Sequence, residues 1–298
     1  MFYTNANGLF NKLDELRNCI EIYDNIDIIC ITETHLTPEI LDSELHIEGF
    51  RFCRKDRDFN IAKDSDLNCF DNSGGGGSII YYSEKLVVHP DVKFNKNAPD
   101  SVAIKIDTVY GVIEVACIYR SMNLSKNLNK KLISCIEDIS NINNDFETFI
   151  VGDFNLPDIS WENCTLKGVM TTRNKNLLQQ LEFADTFSRL GLKWYLVNET
   201  TRQRLVKGVL QESLLDQVLY TNEALVTNVS FLSRLGKSDH VSFNVALGIS
   251  LFREEVSTAS NVIRKSCWSK ISERDLLTYS LTGLCAHRSI NKFRGIDR

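Results

Sequence analysis

Short apolar runs in this chain stop on, or enclose, a carboxylate. Ile26-Asp27-Ile28-Ile29-Cys30-Ile31-Thr32 is nearly continuous and ends on Glu33. Thr148-Phe149-Ile150-Val151 runs into Gly152-Asp153-Phe154-Asn155. Leu214-Leu215-Asp216-Gln217-Val218-Leu219-Tyr220 carries an aspartate inside its apolar text. Runs this short and continuous suit strands buried on both faces. A strand end is a rigid support that exposes side chains into a cleft. The pattern therefore asks for a sheet scaffold with carboxylates and amides at the C-terminal ends of its strands.

Other segments fill in the scaffold. Phe2-Tyr3-Thr4 reads as a strand and Asn5-Ala6-Asn7-Gly8 as a turn. Leu13, Leu16, Ile20 and Tyr23 recur at helical spacing. Strands are predicted at 78–82, 101–106 and 112–119, the last two alternating with period two and joined by a turn at 108–111. Helices are predicted at 127–142 and 174–190, and further strands at 226–232 and 241–246. Residues 51 to 78 are polar and read as an irregular loop closed by four glycines. No Gly-Lys-Ser/Thr follows those glycines and a strand comes next, so they read as a turn and not as a phosphate loop. Strands outnumber helices, which suggests sheet packed on sheet with helices outside.

The 298 residues, 43% hydrophobic and 24% charged, suffice for one large domain with a tail. Residues 1–248 read as the domain. Residues 249–298 are charged, lack strand signals and read as linker and helix, with Arg264, Lys265, Lys270 and Arg274 locally basic. A net charge of −5 is not the footprint of a strong duplex binder, although a local basic groove is compatible with it. The nine cysteines contain no Cys-x-x-Cys, and Cys30 and Cys117 sit in apolar runs. They read as buried thiols in a reducing compartment. No apolar run approaches the ~20 residues of a membrane span, and the N-terminus lacks a secretion signal. A nuclear or cytoplasmic protein without a membrane partner is expected.

Glu33, Asp153, Asn155, Asp216, Asp239 and His240 are the candidates for chemistry. Acids converging at strand ends repel unless a cation sits between them. Hard oxygen ligands with no thiolate suit Mg²⁺ or Mn²⁺, and a nearby histidine suggests phosphate chemistry. Alone, each piece is ordinary. A Gly-Asp after a strand is usually a turn, Asp-His in a loop is usually solvated, and Asn5 is a turn residue. Asp216 is harder to dismiss, because a buried carboxylate needs a partner.

The joint order of these residues resembles the endonuclease/exonuclease/phosphatase superfamily over about residues 1–248. An asparagine ends the first strand (Asn5 in YTNANGL), and a glutamate follows the second (Glu33 in CITETHL). A tyrosine closes a central strand (Tyr119 in ACIYRS), and Gly-Asp-x-Asn is intact as Asp153 and Asn155. A late Leu-Asp supplies Asp216, and Ser-Asp-His supplies Asp239 and His240. Within that superfamily, NANGLFNKLDEL, DIICITETHL, GGGGSIIYY, FIVGDFNLPDISW and LLDQVLYTN look like the endonuclease domain of non-LTR retrotransposon polyproteins. IRKSCWSKISERDLLTYSL resembles their connector to a reverse transcriptase, and no Tyr-x-Asp-Asp is present.

The resemblance implies an α+β fold: a four-layer α/β/β/α sandwich of two packed mixed, mostly antiparallel sheets with outer helices. It implies a divalent-metal-dependent endonuclease that nicks DNA. Glu33, Asp239 and Asn7 would lie at the Mg²⁺ (or Mn²⁺). Asp153 would activate water oriented by Asn5, and Asn155, Tyr119 and His240 would contact the scissile phosphate. Asp216 would pair with His240 and keep it protonated. The implied partners are DNA and a reverse transcriptase domain or protein encoded downstream. Two departures stand out: Asn7 sits where abasic-site enzymes carry an acid, and Arg120-Ser121-Met122-Asn123 replaces a Pro-Asn pair after the tyrosine. The alternatives are an abasic-site endonuclease, a phosphoinositide or sphingolipid phosphodiesterase, and an inactive or repurposed remnant acting as a binding module. The 5-phosphatases have Cys-Asp-Arg where this chain has Leu215-Asp216-Gln217.

Overall fold

The apolar runs become central strands of two six-stranded sheets. The computed structural model describes residues 1–23, 25–57, 75–122, 124–141, 146–167 and 177–250. The first sheet has the order β15 (Val226–Leu232), β16 (Ser242–Leu247), β1 (Phe2–Asn5), β2 (Ile28–Thr32), β4 (Ser78–Ser83), β3 (Phe50–Lys55). The second has β11 (Lys193–Trp194), β14 (Asp216–Tyr220), β8 (Glu147–Asp153), β7 (Gly111–Tyr119), β6 (Val102–Thr108), β5 (Val88–Pro90). Two small hairpins accompany them, β9 (Ile159–Ser160) with β10 (Thr165–Leu166) and β12 (Arg202–Val206) with β13 (Val209–Ser213).

Each large sheet is antiparallel except for one central pair. β1 runs parallel to β2, and β7 to β8. Parallel neighbours need a crossover, and helices Leu13–Ile22 and Lys126–Ile139 lie on the two crossovers. Ser125 caps the second helix by accepting from the Leu128 N–H at 3.3 Å, a contact of about 1 kcal/mol. The crossovers leave strand ends side by side: Asn5 pairs with Thr32, and Tyr119 with Asp153.

Period-two alternation sorts the core. Tyr3, Cys30 and Ile80 pack in one cluster with Val115, Cys117, Phe149 and Val151 of the other sheet. Phe2, Ile29, Ile31 and Ile79 pack in a second cluster with Leu13 and Leu16 of the first helix. Leu132 and Ile136 of helix Lys126–Ile139, and Phe183 and Phe187 of helix Leu177–Arg189, join the second sheet. The architecture is the two-sheet sandwich with outer helices that the resemblance implied. Along the inward faces the same alternation carries Tyr3 to Asn5 and Val151 to Asp153, so these polar ends face the gap between the sheets.

Several elements differ from the sequence reading. Part of the expected 51–78 loop is an edge strand, β3, paired with β4. Arg51, Arg54 and Lys55 mask its pattern, since edge strands tolerate charge, while the Phe52 ring lies 5.3 Å from Tyr81. Asp216 opens β14 and does not close it, because β14 runs antiparallel to β8. The β12–β13 hairpin, the strand Val88–Pro90 and the helix Val92–Asn97 had no periodic signal long enough to read. The first helix residues expected at 174–176, Asn123 and the tail beyond residue 250 lie outside the described residues. Among the described residues no helix is long and apolar enough to cross a membrane.

Candidate active site

The ends of both parallel pairs meet the start of β14 and the turn before β16. Asn5 Nδ2 donates to Asp153 Oδ2 at 2.9 Å, and the Asn155 N–H donates to Asp153 Oδ1 at 3.0 Å. The register sets Asp216 opposite Asp153. Asp216 spends its two oxygens separately. Oδ1 accepts from the Tyr3 hydroxyl at 2.6 Å, and Oδ2 lies 2.7 Å from His240 Nδ1. His240 Nε2 is 4.0 Å from Asp153 Oδ2. Asn5, Asp153, Asp216 and His240 are all buried.

Backbone contacts hold this group in place. Ser238 Oγ donates to the Asn5 carbonyl at 2.7 Å and accepts from the His240 N–H at 3.2 Å. Thr201 Oγ1 accepts from the N–H groups of Leu215 and Asp216 at 3.0 and 3.1 Å. Gly152 is required by close approach: a Cβ there would lie 1.9 Å from the Ile118 carbonyl oxygen of β7. The residue before the central aspartate therefore sets how tightly β7 and β8 pair.

Charge follows from burial and proximity. Burial alone would lower the His240 pKa, but the Asp216 carboxylate outweighs it, aided by Asp153 and Asp239, and raises it to about 9. The ring is an imidazolium at neutral pH. Asp153 is pushed well above the usual carboxylate range by burial and then by Asp216 and Glu33, with His240 opposing. The Tyr119 hydroxyl is raised by burial and by the charges of Glu33 and Asp153, so it stays a donor.

Glu33 lies just beyond β2 in the left-handed region, at φ 49°. Burial would raise its pKa, yet His35, Asn5 and His240 together bring it to about 2, so it is ionised. The loop is held by the glycine run: the Thr34 and His35 N–H groups donate to the carbonyls of Gly77 and Gly76 at 3.3 and 2.9 Å. A Cβ on Gly77 would lie 2.7 Å from Thr34 Oγ1. Asp239 is partly exposed and accepts from Arg202 Nε at 2.8 Å. Asn7 is exposed and reaches the site through its backbone, its N–H donating to Asn5 Oδ1 at 3.0 Å.

This donor set fits a divalent cation. The acids supply only oxygen, the donor that hard cations prefer. Burial first, and then repulsion from Asp216 and Glu33, raises Asp153 although Asn5 and the Asn155 N–H stabilise its charge, and a cation beside the acids relieves the repulsive part. Asp153, Asp216 and His240 also present ligand atoms within 4.8 Å of one another. Two of those three are already committed to the Asp216–His240 pair, while Glu33 and Asp239 are the more exposed carboxylates of the group.

The structure adds residues that the sequence reading missed. Tyr3 lies two positions before Asn5 on the same strand face, a spacing that could have flagged it. Arg120, in place of the proline, is 1% exposed. Its N–H donates to the Asp153 carbonyl at 2.9 Å, and its Nη1 to the carbonyls of Phe154 and Asn155 at 3.3 and 3.1 Å. Asn155 Nδ2 returns a bond to the Arg120 carbonyl at 3.0 Å. This exchange holds Asn155 at φ 48°. Arg57 pairs with Asp100 at 2.7 Å and lies 5.8 Å from the Tyr119 ring centroid.

Comparison with known proteins gives three kinds of result. The model of the Endonuclease/Exonuclease/phosphatase family matches residues 2–240. No curated protein sequence matches the chain. Solved structures share the fold. The endonuclease domain of TRAS1, a telomere-specific non-LTR retrotransposon, is 18% identical, with a TM-score of 0.55, 83% of this chain and 97% of that one covered. The AP endonuclease LMAP from Leishmania major is 13% identical, with a TM-score of 0.59, 85% and 87% covered. The Xenopus laevis APE2 catalytic domain is 14% identical, with a TM-score of 0.56, 84% and 92% covered.

Proposed function

The chain belongs to the endonuclease/exonuclease/phosphatase family, whose enzymes are divalent-metal-dependent hydrolases of phosphodiester bonds, and from that premise we propose that it is a Mg²⁺-dependent endonuclease that nicks DNA. The observation that carries this reading is the meeting of two polar pairs at the sandwich mouth, Asn5 with Asp153 and Asp216 with His240.

Each residue has a role its surroundings support. Asp153 is a carboxylate with raised basicity, suited to taking a proton from water, and the Asn5 amide fixes which way it faces. His240, kept protonated by Asp216, offers an N–H on Nε2 to a phosphate oxygen. Tyr119 is a neutral hydroxyl donor beside it, and Asn155 is set on the same turn as Asp153. Glu33 and Asp239, with Asn7 beside them, would hold Mg²⁺ or Mn²⁺, whose chemistry is to polarise a phosphoryl oxygen and offset charge developing there. Attack by water on the phosphorus, with the 3′ oxygen leaving as a hydroxyl, gives a 3′-hydroxyl and a 5′-phosphate.

The intact Gly-Asp-Phe-Asn and Ser-Asp-His elements, the retroelement-like text and the fold shared with TRAS1 support an origin in a non-LTR retrotransposon. There the new 3′-hydroxyl would prime reverse transcription by a domain or protein encoded downstream. On this reading residues 1–248 are the nuclease and 249–298 the connector. The test is incubation of intact and abasic duplex with the full chain and Mg²⁺, followed by polymerase extension. Extendable nicks in intact duplex support the reading. Cleavage confined to abasic duplex makes the chain a repair-type enzyme, and no cleavage of either overturns the nuclease reading.

A further inference from the structure

Asp239 reaches the site already paired with a cation. Arg202 Nε donates to Asp239 Oδ2 at 2.8 Å, and the two side chains are 24% and 27% exposed. Backbone contacts fix the pair: the Gln203 N–H donates to the Asp239 carbonyl at 2.9 Å and the Val241 N–H to the Thr201 carbonyl at 2.8 Å. Arg202 and His240 also form a β-bridge. Thr201 in turn holds the Asp216 N–H. Arg202 is thus anchored to the turn that carries His240, and it is also the first residue of the β12–β13 hairpin.

A lysine lies nearby. Lys12 Nζ donates to the carbonyls of Ala6 and Asn7, where the charges of Glu15, then Asp239 and Glu33, act on it. Gly236 leaves room for it, since a Cβ there would lie 3.2 Å from Lys12 Cδ and Cε. Asp239 is therefore partly neutralised by the chain's own side chains, and Glu33 also feels the Lys12 charge. The two cations differ in how they are held. Lys12 rests on carbonyl oxygens, whereas Arg202 occupies one oxygen of a carboxylate, the donor type that hard cations prefer.

A carboxylate oxygen that accepts from a guanidinium is a poor ligand for Mg²⁺, which needs its donors at ~2.1 Å, and the two positive charges repel. We propose that Arg202 is the resident counter-ion of Asp239, displaced when a divalent cation binds, so that cation occupancy is coupled to the base of the Arg202–Ser213 hairpin. This rests on the reading of Glu33 and Asp239 as the metal edge. The displaced guanidinium keeps its charge and its planar fork, the geometry that recognises a phosphate.

Mn²⁺ titration of the full chain, with unbound Mn²⁺ read by electron paramagnetic resonance, tests the exchange without any activity measurement. The proteins compared are wild type, Arg202→Gln, Arg202→Lys and Glu33→Gln, each checked for an unchanged melting profile. Arg202→Gln is expected to bind Mn²⁺ about three- to fivefold more tightly than wild type, the scale of a partly exposed ion pair. Arg202→Lys, which keeps the charge, stays closer to wild type, and Glu33→Gln loses binding. Equal or weaker binding by Arg202→Gln, with binding lost in Glu33→Gln, overturns the exchange and leaves the metal edge standing. Absence of saturable binding in every protein overturns both.

Discussion

His240 Nδ1 and Asp216 Oδ2 lie 2.7 Å apart, both residues buried. The folded imidazole titrates near 9 against an ordinary 6.5. Its contribution to stability is complete below pH 6.5 and is lost as pH rises through 9. Any step that needs the imidazolium fails over the same alkaline range. Asp216→Asn is expected to bring the ring's titration down and to move the alkaline limb of the pH–rate profile to lower pH. Ring-proton NMR across pH 5–10 checks this, and an unchanged His240 titration would contradict the pairing.

Gly152→Ala tests how the central strands carry Asp153. The new methyl would sit 1.9 Å from the Ile118 carbonyl oxygen, which is backbone and cannot swing aside. Overpacking of this kind costs about 1–3 kcal/mol. The melting temperature is expected to fall by several degrees, with activity falling as Asp153 is displaced. A variant as stable as wild type would show that β7 and β8 can separate freely.

Glu114 gives a pH dependence unrelated to the site. Both its carboxyl oxygens are buried without a hydrogen-bond donor, and Lys105 Nζ is 3.9 Å away. Burial and the neighbouring Asp91 raise its pKa from 4.5 to about 8. The folded chain then binds more protons than the unfolded chain between those values, so stability falls as pH rises from 4.5 to 8. Glu114→Gln is expected to remove this loss and to be the more stable protein at pH 8. Parallel denaturation curves at pH 5 and pH 8 decide it, and an equal pH dependence in the two proteins would contradict it.

Much of this was legible in the sequence where a physical signal is local. Continuous apolar runs announced β2, β8 and most of β14, and helical periodicity announced Leu13 and Leu16. Motif order picked out Asn5, Asp153, Asp216 and His240, which the fold brings together. What escaped depends on partners distant in sequence. β3 is an edge strand written in charged residues, and the β12–β13 hairpin buries too little to show alternation. Arg120 reads as a loop cation, yet it holds the carbonyls of Phe154 and Asn155. Arg202 acquires its meaning only from Asp239, 37 residues away. Tyr3 has the text of an ordinary strand aromatic, and its role comes from the hydrogen bond its hydroxyl donates to Asp216.

The central claim is that Asp153 and His240 together perform metal-dependent cleavage of a DNA strand. The most direct test is nicking of supercoiled plasmid with Mg²⁺, comparing wild type with Asp153→Ala and His240→Ala at matched folded concentration. Wild type is expected to convert supercoiled to open-circular DNA, to stop when Mg²⁺ is chelated, and to exceed each variant by at least ~100-fold, the lower bound of a lost general acid or base. Equal nicking by all three proteins would contradict the account.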